Sequence, residues 1–162
     1  FGSGRMVDGF FLNNQLTDFS FQPRDAAGAL VANAPGPRKR PRSSMSPVIV
    51  LDRQGRFVAA LGSPGGNNIL AYNAKALVGA FDWGLSMQDA IALPNLIARG
   101  ARYASEREKF APGVVEGLAE RGIKLEGGGG EGSGLHGVVV RDGRLQGGAD
   151  PRRDGVVGVA RR

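Results

Sequence analysis

The stretch PVIVLDRQGRFVAALGSPGGNNI, residues 47–69, carries the strongest structural signal in this chain. Two apolar runs, Pro47–Leu51 and Phe57–Leu61, are separated by a short polar segment in which Gly55 can supply a positive φ angle. The pattern predicts a β-hairpin, and because each run is apolar throughout, we expect both faces of the hairpin to be buried. The turn Gly62–Gly66 then leads into a helix predicted from Asn67 to Phe81, where apolar residues recur at roughly helical spacing.

On the C-terminal side, cap and turn residues indicate two further helices followed by short strands. One helix is predicted from Ser86 to Leu93, with Asp89 in the capping-box position behind Ser86, and another from Pro112 to Arg121. The glycines of Gly127–Gly134 predict a flexible loop. Three short strands are predicted after it, the first two as a hairpin through Asp142-Gly143: Val138–Val140, Leu145–Gly148 and Val156–Val159.

On the N-terminal side, little regular structure is expected. Val7–Gln15 predicts a short strand that runs into a polar loop, and the proline-rich segment Gln22–Arg42 predicts an irregular excursion. The order of strand pair, helices and strand pair predicts an α+β fold in which helices pack on a mainly antiparallel sheet. A chain of 162 residues is long enough for one domain and too short to argue for two.

Composition and charge argue against several classes of function. The formal net charge is +6, but the 21 Lys and Arg residues are spread along the chain and few aromatic residues lie near the basic runs, so no nucleic-acid partner is expected. No apolar run approaches the ~20 residues of a membrane span, so none is expected. With no cysteine and a single histidine, no metal site is expected, and His136 is interpreted as an incidental polar residue rather than a base.

Two polar clusters suit the charged groups of an amino acid. Gln15 and Asp18 place an amide and a carboxylate three residues apart on one loop, where both can face an ammonium group. An Asx-rich turn that bonds its own backbone explains the same pattern. The hydroxyls of Ser43 and Ser44 follow a basic run and suit a carboxylate, although a solvated basic loop explains them equally well.

A third cluster is the glycine pair Gly65-Gly66 in the strand-to-helix turn. Consecutive N–H groups at the positive end of a helix dipole can stabilise a developing oxyanion. A tight turn is the simpler interpretation of the same Pro-Gly-Gly sequence. The segment has neither a Gly-Lys-Ser/Thr ending nor a GxGxxG pattern, so it does not predict a phosphate or dinucleotide site.

Taken in order, these motifs resemble the small catalytic subunit of γ-glutamyltransferases. The resemblance rests on FGSG, FFLNNQLTDFS, PGPRKRPRSSMSP, LGSPGGNNI and ADPRRDG, and it extends from Phe1 nearly to the C-terminus. It implies the fold of the N-terminal-nucleophile hydrolases, a four-layer αββα sandwich shared between two subunits cut from one precursor. Residues 1–162 are then expected to be a single partial domain of the small subunit, without its N-terminal nucleophile strand. The large-subunit portion of the same precursor is the expected partner.

The resemblance also implies roles for the three clusters. Gln15 and Asp18 would bind the α-ammonium of a γ-glutamyl substrate such as glutathione, and Ser43 and Ser44 its α-carboxylate. The N–H groups of Gly65 and Gly66 would stabilise the oxyanion formed when the γ-carbonyl is attacked. The implied reaction cleaves γ-glutamyl amides through a γ-glutamyl-threonine intermediate, by hydrolysis or transfer, and it uses no cofactor.

The sequence departs from the family pattern in ways that leave alternatives open. The family's nucleophilic threonine lies upstream of Phe1, so the chain by itself is expected to be inactive. Asn67 and Asn68 follow the glycines where a Ser-Arg pair is usual, which leaves the acceptor open. A related acylase for glutaryl or cephalosporin-type amides, a non-catalytic homologue and a basic binding module are the alternative interpretations. A periplasmic or extracellular location is expected from the resemblance alone.

Overall fold

The computed structural model describes residues 3–128 and 132–159, which form two compact units, Phe1–Ser43 and Ser44–Arg162. In the N-terminal unit, β1 (Met6–Val7) and β2 (Phe10–Phe11) form a small antiparallel hairpin. The short strand predicted within Val7–Gln15 corresponds to β2, and a polar loop follows it as predicted; Asp8 and Gly9 adopt positive φ angles and reverse the chain between β1 and β2. A 3-10 helix spans Gln15–Asp18, and the rest of the unit is irregular, as predicted.

The C-terminal unit contains three α-helices and seven strands among its described residues. The helices are α1 (Ile69–Phe81), α2 (Met87–Ala92) and α3 (Pro112–Glu120). The strands are β3 (Val48–Leu51), β4 (Phe57–Gly62), β5 (Leu96–Arg99), β6 (Arg102–Ser105), β7 (Leu125–Gly127), β8 (His136–Arg141) and β9 (Arg144–Ala149). All three predicted helices are confirmed to within a few residues. At the start of α2, the Asp89 amide donates to Ser86 Oγ at 3.0 Å, and Ser86 Oγ donates to Asp89 Oδ2 at 2.6 Å.

The main sheet is antiparallel and has the strand order β3-β4-β8-β9. Both predicted hairpins, β3–β4 and β8–β9, are confirmed, but the expectation that the first is buried on both faces is wrong. Ala59 and Leu61 of β4 are buried, whereas Ile49 of β3 is 71% exposed. The helices α1 and α2 pack on one face only, so the apolar residues that point to the other face stay exposed. Leu145 of β9 is 69% exposed.

The core lies between the covered face of the main sheet and the helices α1 and α2. It is built from Tyr72, Ala76 and Ala80 of α1, Met87, Ala90 and Ile91 of α2, and Ala59, Leu61, Leu135 and Val139 from the sheet side. The backbone of α2 approaches β9 so closely that a Cβ placed on Gly148 would lie 2.8 Å from the carbonyl carbon of Met87 and 2.9 Å from the amide nitrogen of Gln88. Only glycine permits this contact between helix and sheet.

A second, three-stranded sheet was not predicted from the sequence. Its order is β5-β6-β7, with β5 antiparallel to β6 and β7 parallel to β6. The strands are only three or four residues long and carry charged residues such as Arg99, Arg102 and Glu126, so they lack an apolar alternation. Of the predicted loop Gly127–Gly134, Gly127 belongs to β7, Ser133 and Gly134 are buried, and residues 129–131 lie outside the described part.

The predicted strand Val156–Val159 is not formed; these residues lie outside any sheet. They lie beside the exposed face of the main sheet, where Val157 contacts the backbone position of Gly147. Within residues 3–128 and 132–159, no helix is long and apolar enough to cross a membrane. The same residues contain no cluster of His, Cys, Asp and Glu side chains that could hold a metal ion.

Candidate functional site

The glycine turn links the end of β4 to the start of α1. Gly65 has φ 133° and ψ 22°, and Gly66 has φ 51°, so two successive residues adopt backbone conformations that favour glycine. A 3-10 helix over Gly66–Asn68 follows, in which the Asn68 amide donates to the Gly65 carbonyl at 2.9 Å, and α1 begins at Ile69. Neither the Gly65 nor the Gly66 amide donates to another residue in the described part of the chain. Both amides therefore keep an unused donor among the described residues.

Close packing fixes the shape of this turn. A Cβ on Gly65 would lie 2.6 Å from Cε2 of Tyr72, whose ring packs in the core below. On the other side, the Gly134 amide donates to Ser63 Oγ at 3.1 Å, and Ser63 Oγ donates to the Pro64 carbonyl at 2.6 Å. A Cβ on Gly134 would lie 2.7 Å from Cγ of Pro64. The backbone at Gly65 is thus held by contacts that leave no room for a side chain.

An arginine from the small sheet also binds the turn. Arg99 Nη2 donates to the Asn67 carbonyl at 2.6 Å and to Asn68 Oδ1 at 3.0 Å. The Asn68 side chain is buried and in turn donates to the hydroxyl of Tyr72 at 3.4 Å. The residues that follow the glycine pair therefore connect it to both the core and β5.

Behind the turn lies a buried polar network that ends at Asp150. Asp150 is fully buried, and its Oδ2 accepts hydrogen bonds from Ser133 Oγ at 2.6 Å and from the Leu135 amide at 3.0 Å. Ser133 Oγ accepts from Asn95 Nδ2 at 2.9 Å, and Asn95 Oδ1 accepts from Lys75 Nζ at 2.9 Å. Burial, reinforced by the nearby charge of Arg152, lowers the pKa of the Lys75 amine to about 8.

Arg152 joins this network to the small sheet. It pairs with Asp150 Oδ1 at 3.0 Å and with both carboxylate oxygens of Glu106, the Nε–Oε1 distance being 2.7 Å. Burial opposes ionisation of Glu106, but hydrogen bonds from Arg152, Lys109 and the Asn95 amide outweigh it and lower the pKa of this carboxyl to about 2. Asp150 and Arg152 therefore form an ion pair within the turn that follows β9.

Sequence reasoning missed the other members of this network. Lys75, Asn95, Glu106 and Ser133 are distant in sequence, and nothing in their local patterns indicates that they meet. The one signal for Lys75 was its position among the apolar residues of the predicted helix Asn67–Phe81. His136 is exposed, and its Nδ1 lies 3.1 Å from the Gly134 carbonyl, an arrangement that agrees with its interpretation as an incidental polar residue.

In the N-terminal unit, Gln15 and Asp18 lie at the two ends of the 3-10 helix and are half-buried. No described residue of that unit donates to the Asp18 carboxylate. The Asp18 carbonyl accepts from Asn33 Nδ2 at 2.6 Å, and Asn33 Oδ1 accepts from the Arg42 amide at 3.0 Å. One side chain, Asn33, therefore connects the backbone at Asp18 to the backbone that leads into Ser43. No sequence pattern singled out Asn33.

Ser43 and Ser44 lie on either side of the boundary between the two units. In the C-terminal unit, the Ser44 carbonyl accepts from Ser46 Oγ at 2.9 Å, and the Ser46 carbonyl accepts from Asn73 Nδ2 of α1 at 2.6 Å. The segment that contains Ser44 is thus attached to the helix that begins after the glycine turn. The convergence of Gln15, Asp18 and Ser43 with Gly65 and Gly66 around one substrate stays a prediction.

Comparisons with known proteins add an independent line of information. The sequence pattern of the family described as Gamma-glutamyltranspeptidase matches residues 1–160. The chain is 36% identical over 159 residues to the glutathione hydrolase proenzyme of Escherichia coli strain K12, a match that covers 94% of this chain and 27% of the relative. It is 32% identical over 148 residues to the acylase ACY 1 proenzyme of Pseudomonas sp. strain SE83, covering 91% of this chain and 25% of that relative.

A solved structure gives the same result at the level of the fold. The γ-glutamyltranspeptidase from Pseudomonas nitroreducens complexed with L-DON superposes with a TM-score of 0.76 at 31% sequence identity. The match covers 98% of this chain and 87% of that one. The mixed helices and antiparallel sheets described above therefore recur in a solved enzyme with an N-terminal-nucleophile hydrolase fold. The chain spans less than a third of the length of the proenzymes that it matches.

Proposed function

Because this chain belongs to the γ-glutamyltranspeptidase family, we propose that it forms part of an enzyme that cleaves γ-glutamyl amides such as glutathione. In this proposal, the γ-glutamyl group is transferred to a threonine nucleophile supplied by the rest of the protein, and water or an amino acid then takes it up. The chain contributes groups that bind the substrate and stabilise the oxyanion. It uses no cofactor and no metal.

The observation that carries this proposal is the pair of available amides at Gly65 and Gly66. Both lie at the start of the 3-10 helix that continues into α1, so the helix dipole adds positive potential at their position. A tetrahedral oxyanion needs donors of this kind, fixed before the reaction, and one such donor is typically worth about 3 kcal/mol of activation free energy. The tight packing of Gly65 against Tyr72 supplies that rigidity.

The remaining proposed roles concern the α-amino and α-carboxylate groups of the glutamyl moiety. The Asp18 carboxylate, which accepts from no described residue of its own unit, is suited to an ammonium ion through a charge-assisted hydrogen bond. Gln15, at the other end of the same 3-10 helix, can add a second hydrogen bond from its amide oxygen. The hydroxyls of Ser43 and Ser44 are proposed to bind the α-carboxylate.

We further propose that the exposed face of the main sheet packs against the large-subunit portion of the same precursor. Exposed apolar residues occur on all four strands of that sheet: Ile49, Leu51, Phe57, Val138 and Leu145. A face of this kind is rare on a protein that functions alone, because burying apolar area is the main source of stability. The relatives are proenzymes of which this chain matches only a part, which agrees with such a partner. A periplasmic or extracellular location is proposed from family membership.

The 32% identity to an acylase makes amide hydrolysis without an α-amino group the second candidate function. The two functions differ at one group, the ammonium that Asp18 is proposed to bind. An acylase that cleaves glutaryl amides has no such ammonium in its substrate, so it would gain nothing from a carboxylate at this position.

Replacement of Asp18 in the complete, matured protein distinguishes the two functions. We expect the unmodified protein to hydrolyse γ-glutamyl-4-nitroanilide, and Asp18→Asn to lower kcat/KM for this substrate by about 100-fold, since the proposed charge-assisted hydrogen bond is lost. Asp8→Asn is the matched control, because it removes the same charge from an exposed turn of the same unit. The acylase function would be established instead if the protein hydrolysed glutaryl-4-nitroanilide but not the γ-glutamyl substrate, and if Asp18→Asn left that hydrolysis unchanged.

A further inference from the structure

A cavity of about 300 Å³ lies next to the glycine turn, between the turn and the small sheet. Its lining includes Asn68 from the turn, Arg99 from β5 and Arg102 from β6, and the backbone of Gly127 and Gly128 forms another wall. This volume is at the lower limit for ligand sites in proteins, so the cavity suits a small group rather than a large molecule.

The two arginines repel each other, and this repulsion lowers the stability of the protein when nothing binds between them. Arg99 and Arg102 are direct cross-strand partners at the end of the β5–β6 hairpin. Like charges in this position destabilise a hairpin. The charge of Arg102 is compensated by Glu126, whose Oε2 lies 3.1 Å from Arg102 Nη2. Arg102 therefore has an acidic partner, whereas Arg99 faces the same cavity with none among residues 3–128 and 132–159.

Arg99 provides the uncompensated charge. Its Nη2 donates to two neutral oxygens, the Asn67 carbonyl and Asn68 Oδ1, and no acidic residue in the described part of the chain pairs with it. These two bonds hold the guanidinium in place, while Nε and Nη1 make no hydrogen bond to a described residue. A guanidinium that is fixed on one side and free on the other is suited to a carboxylate.

We propose that this cavity binds the carboxylate of the group on the far side of the scissile bond, meaning the amino acid or peptide that leaves or accepts the γ-glutamyl group. The proposal rests on the proposed function, because Asn67 directly follows the glycine amides assigned to the oxyanion. Arg99 binds the carbonyl of the residue after those amides, so it lies beside the position assigned to the scissile carbonyl. One uncompensated positive charge matches one carboxylate better than a phosphate, which carries more negative charge.

Two chromogenic donors that differ by one carboxylate test the proposal in the complete, matured protein. γ-Glutamyl-4-nitroanilide has a neutral leaving group, and γ-glutamyl-3-carboxy-4-nitroanilide carries a carboxylate on the same ring. We expect Arg99→Gln to raise KM for the carboxylated donor by about tenfold, the usual effect of losing one charged hydrogen bond, and to leave KM for the neutral donor within about twofold. For Arg99→Lys, KM for the carboxylated donor should lie between the values for the unmodified protein and for Arg99→Gln, because a lysine keeps the charge but not the planar fork.

Arg53→Gln is the matched control. It removes one positive charge from the exposed β3–β4 turn, away from the cavity, and should change neither KM. Arg102→Gln supplies a second variant should Arg99→Gln fail to fold. It leaves the carboxylate of Glu126 uncompensated beside the cavity, and it should raise KM for the carboxylated donor alone.

The outcomes separate this proposal from the proposed function. If Arg99→Gln raises KM equally for both donors and Arg102→Gln has no selective effect, then Arg99 only positions the turn. That result would overturn the carboxylate site and leave the proposed γ-glutamyl cleavage intact. Absence of turnover with either donor in the unmodified protein would refute the proposed function itself, and the carboxylate site with it.

Discussion

At the scale of single residues, the position most sensitive to change is Gly65. Its φ of 133° is unfavourable for any residue with a side chain, and an added Cβ would meet the Tyr72 ring at 2.6 Å. We expect Gly65→Ala to lower the free energy of unfolding by about 1–3 kcal/mol, from backbone strain, and to displace the amide assigned to the oxyanion. The accompanying fall in kcat should be roughly 100-fold.

Thermal unfolding and kcat for γ-glutamyl-4-nitroanilide measure these two effects separately. Gly113→Ala is the matched control, since Gly113 lies in the first turn of α3 with no heavy atom within 4 Å of an added Cβ, and alanine there should be neutral or stabilising. An undiminished kcat in Gly65→Ala would rule out a role for this amide in the reaction.

Glu106 gives a second prediction at the residue scale, one that depends on pH. Its folded-state pKa of about 2 lies below the ordinary value of 4.5, so its ion pair with Arg152 contributes to stability above pH 4.5 and is progressively lost as the pH falls from 4.5 towards 2. The Glu106→Gln variant should therefore be less stable than the unmodified protein at pH 6. Between pH 6 and pH 3, its free energy of unfolding should fall by less than that of the unmodified protein.

Urea unfolding of the complete protein at pH 6 and pH 3 provides the measurement. Glu108→Gln removes a neighbouring exposed carboxylate that forms no ion pair with the described residues, and it should leave the pH dependence unchanged. If Glu106→Gln and the unmodified protein lose the same stability over this range, then the ion pair does not determine stability in acid.

At the scale of secondary-structure elements, the contact between α2 and β9 depends on the absence of a side chain at Gly148. A Cβ there would lie 2.8 and 2.9 Å from backbone atoms of Met87 and Gln88, and 2.9 Å from Cδ1 of Ile91. We expect Gly148→Ala to destabilise the protein by about 1–3 kcal/mol, because overpacking forces the helix away from the sheet. Gly158→Ala, at an exposed position with no heavy atom within 4 Å of an added Cβ, is the control in the same urea titration.

The capped helices and the hairpins are the elements that could be predicted from the sequence. Ser86 and Asp89 form a capping box within four residues, and Asp142-Gly143 is a two-residue turn, so the information that specifies each is local. The small sheet could not be predicted, because β6 pairs with β7 across about twenty intervening residues and neither strand has an apolar alternation. The Val156–Val159 prediction failed because a valine-rich segment forms a strand only where a partner strand is available.

At the scale of the whole molecule, the exposed face of the main sheet is expected to be an interface. We expect Leu145→Asp to reduce co-purification of this chain with the remainder of the precursor, since it places a charge in an apolar contact. Leu70→Asp changes an equally exposed leucine on the outer side of α1 and should not reduce it. Retention of full co-purification by Leu145→Asp would show that this face is not where the partner packs.

The candidate site could be predicted only in part, because it depends on contacts between segments that are distant in the sequence. The motifs at Asp18, Ser43 and Gly65 are short and were recognisable from their residue types together with the family resemblance. The residues that hold them, such as Asn33, Asn73 and Arg99, act through one or two hydrogen bonds between distant segments. A side chain that bonds to a segment distant in sequence leaves no periodic pattern, so these supports become visible only in three dimensions.

The close contact at Gly148 also bears on how the gene can evolve. Most damaged cores can be repaired by a second mutation that shrinks a neighbouring side chain, but two of the three atoms nearest to Gly148 belong to the main chain of α2, which no codon change can shorten. In a selection for suppressors of Gly148→Ala, recovered clones should therefore restore glycine at codon 148 far more often than they alter Met87 or Gln88.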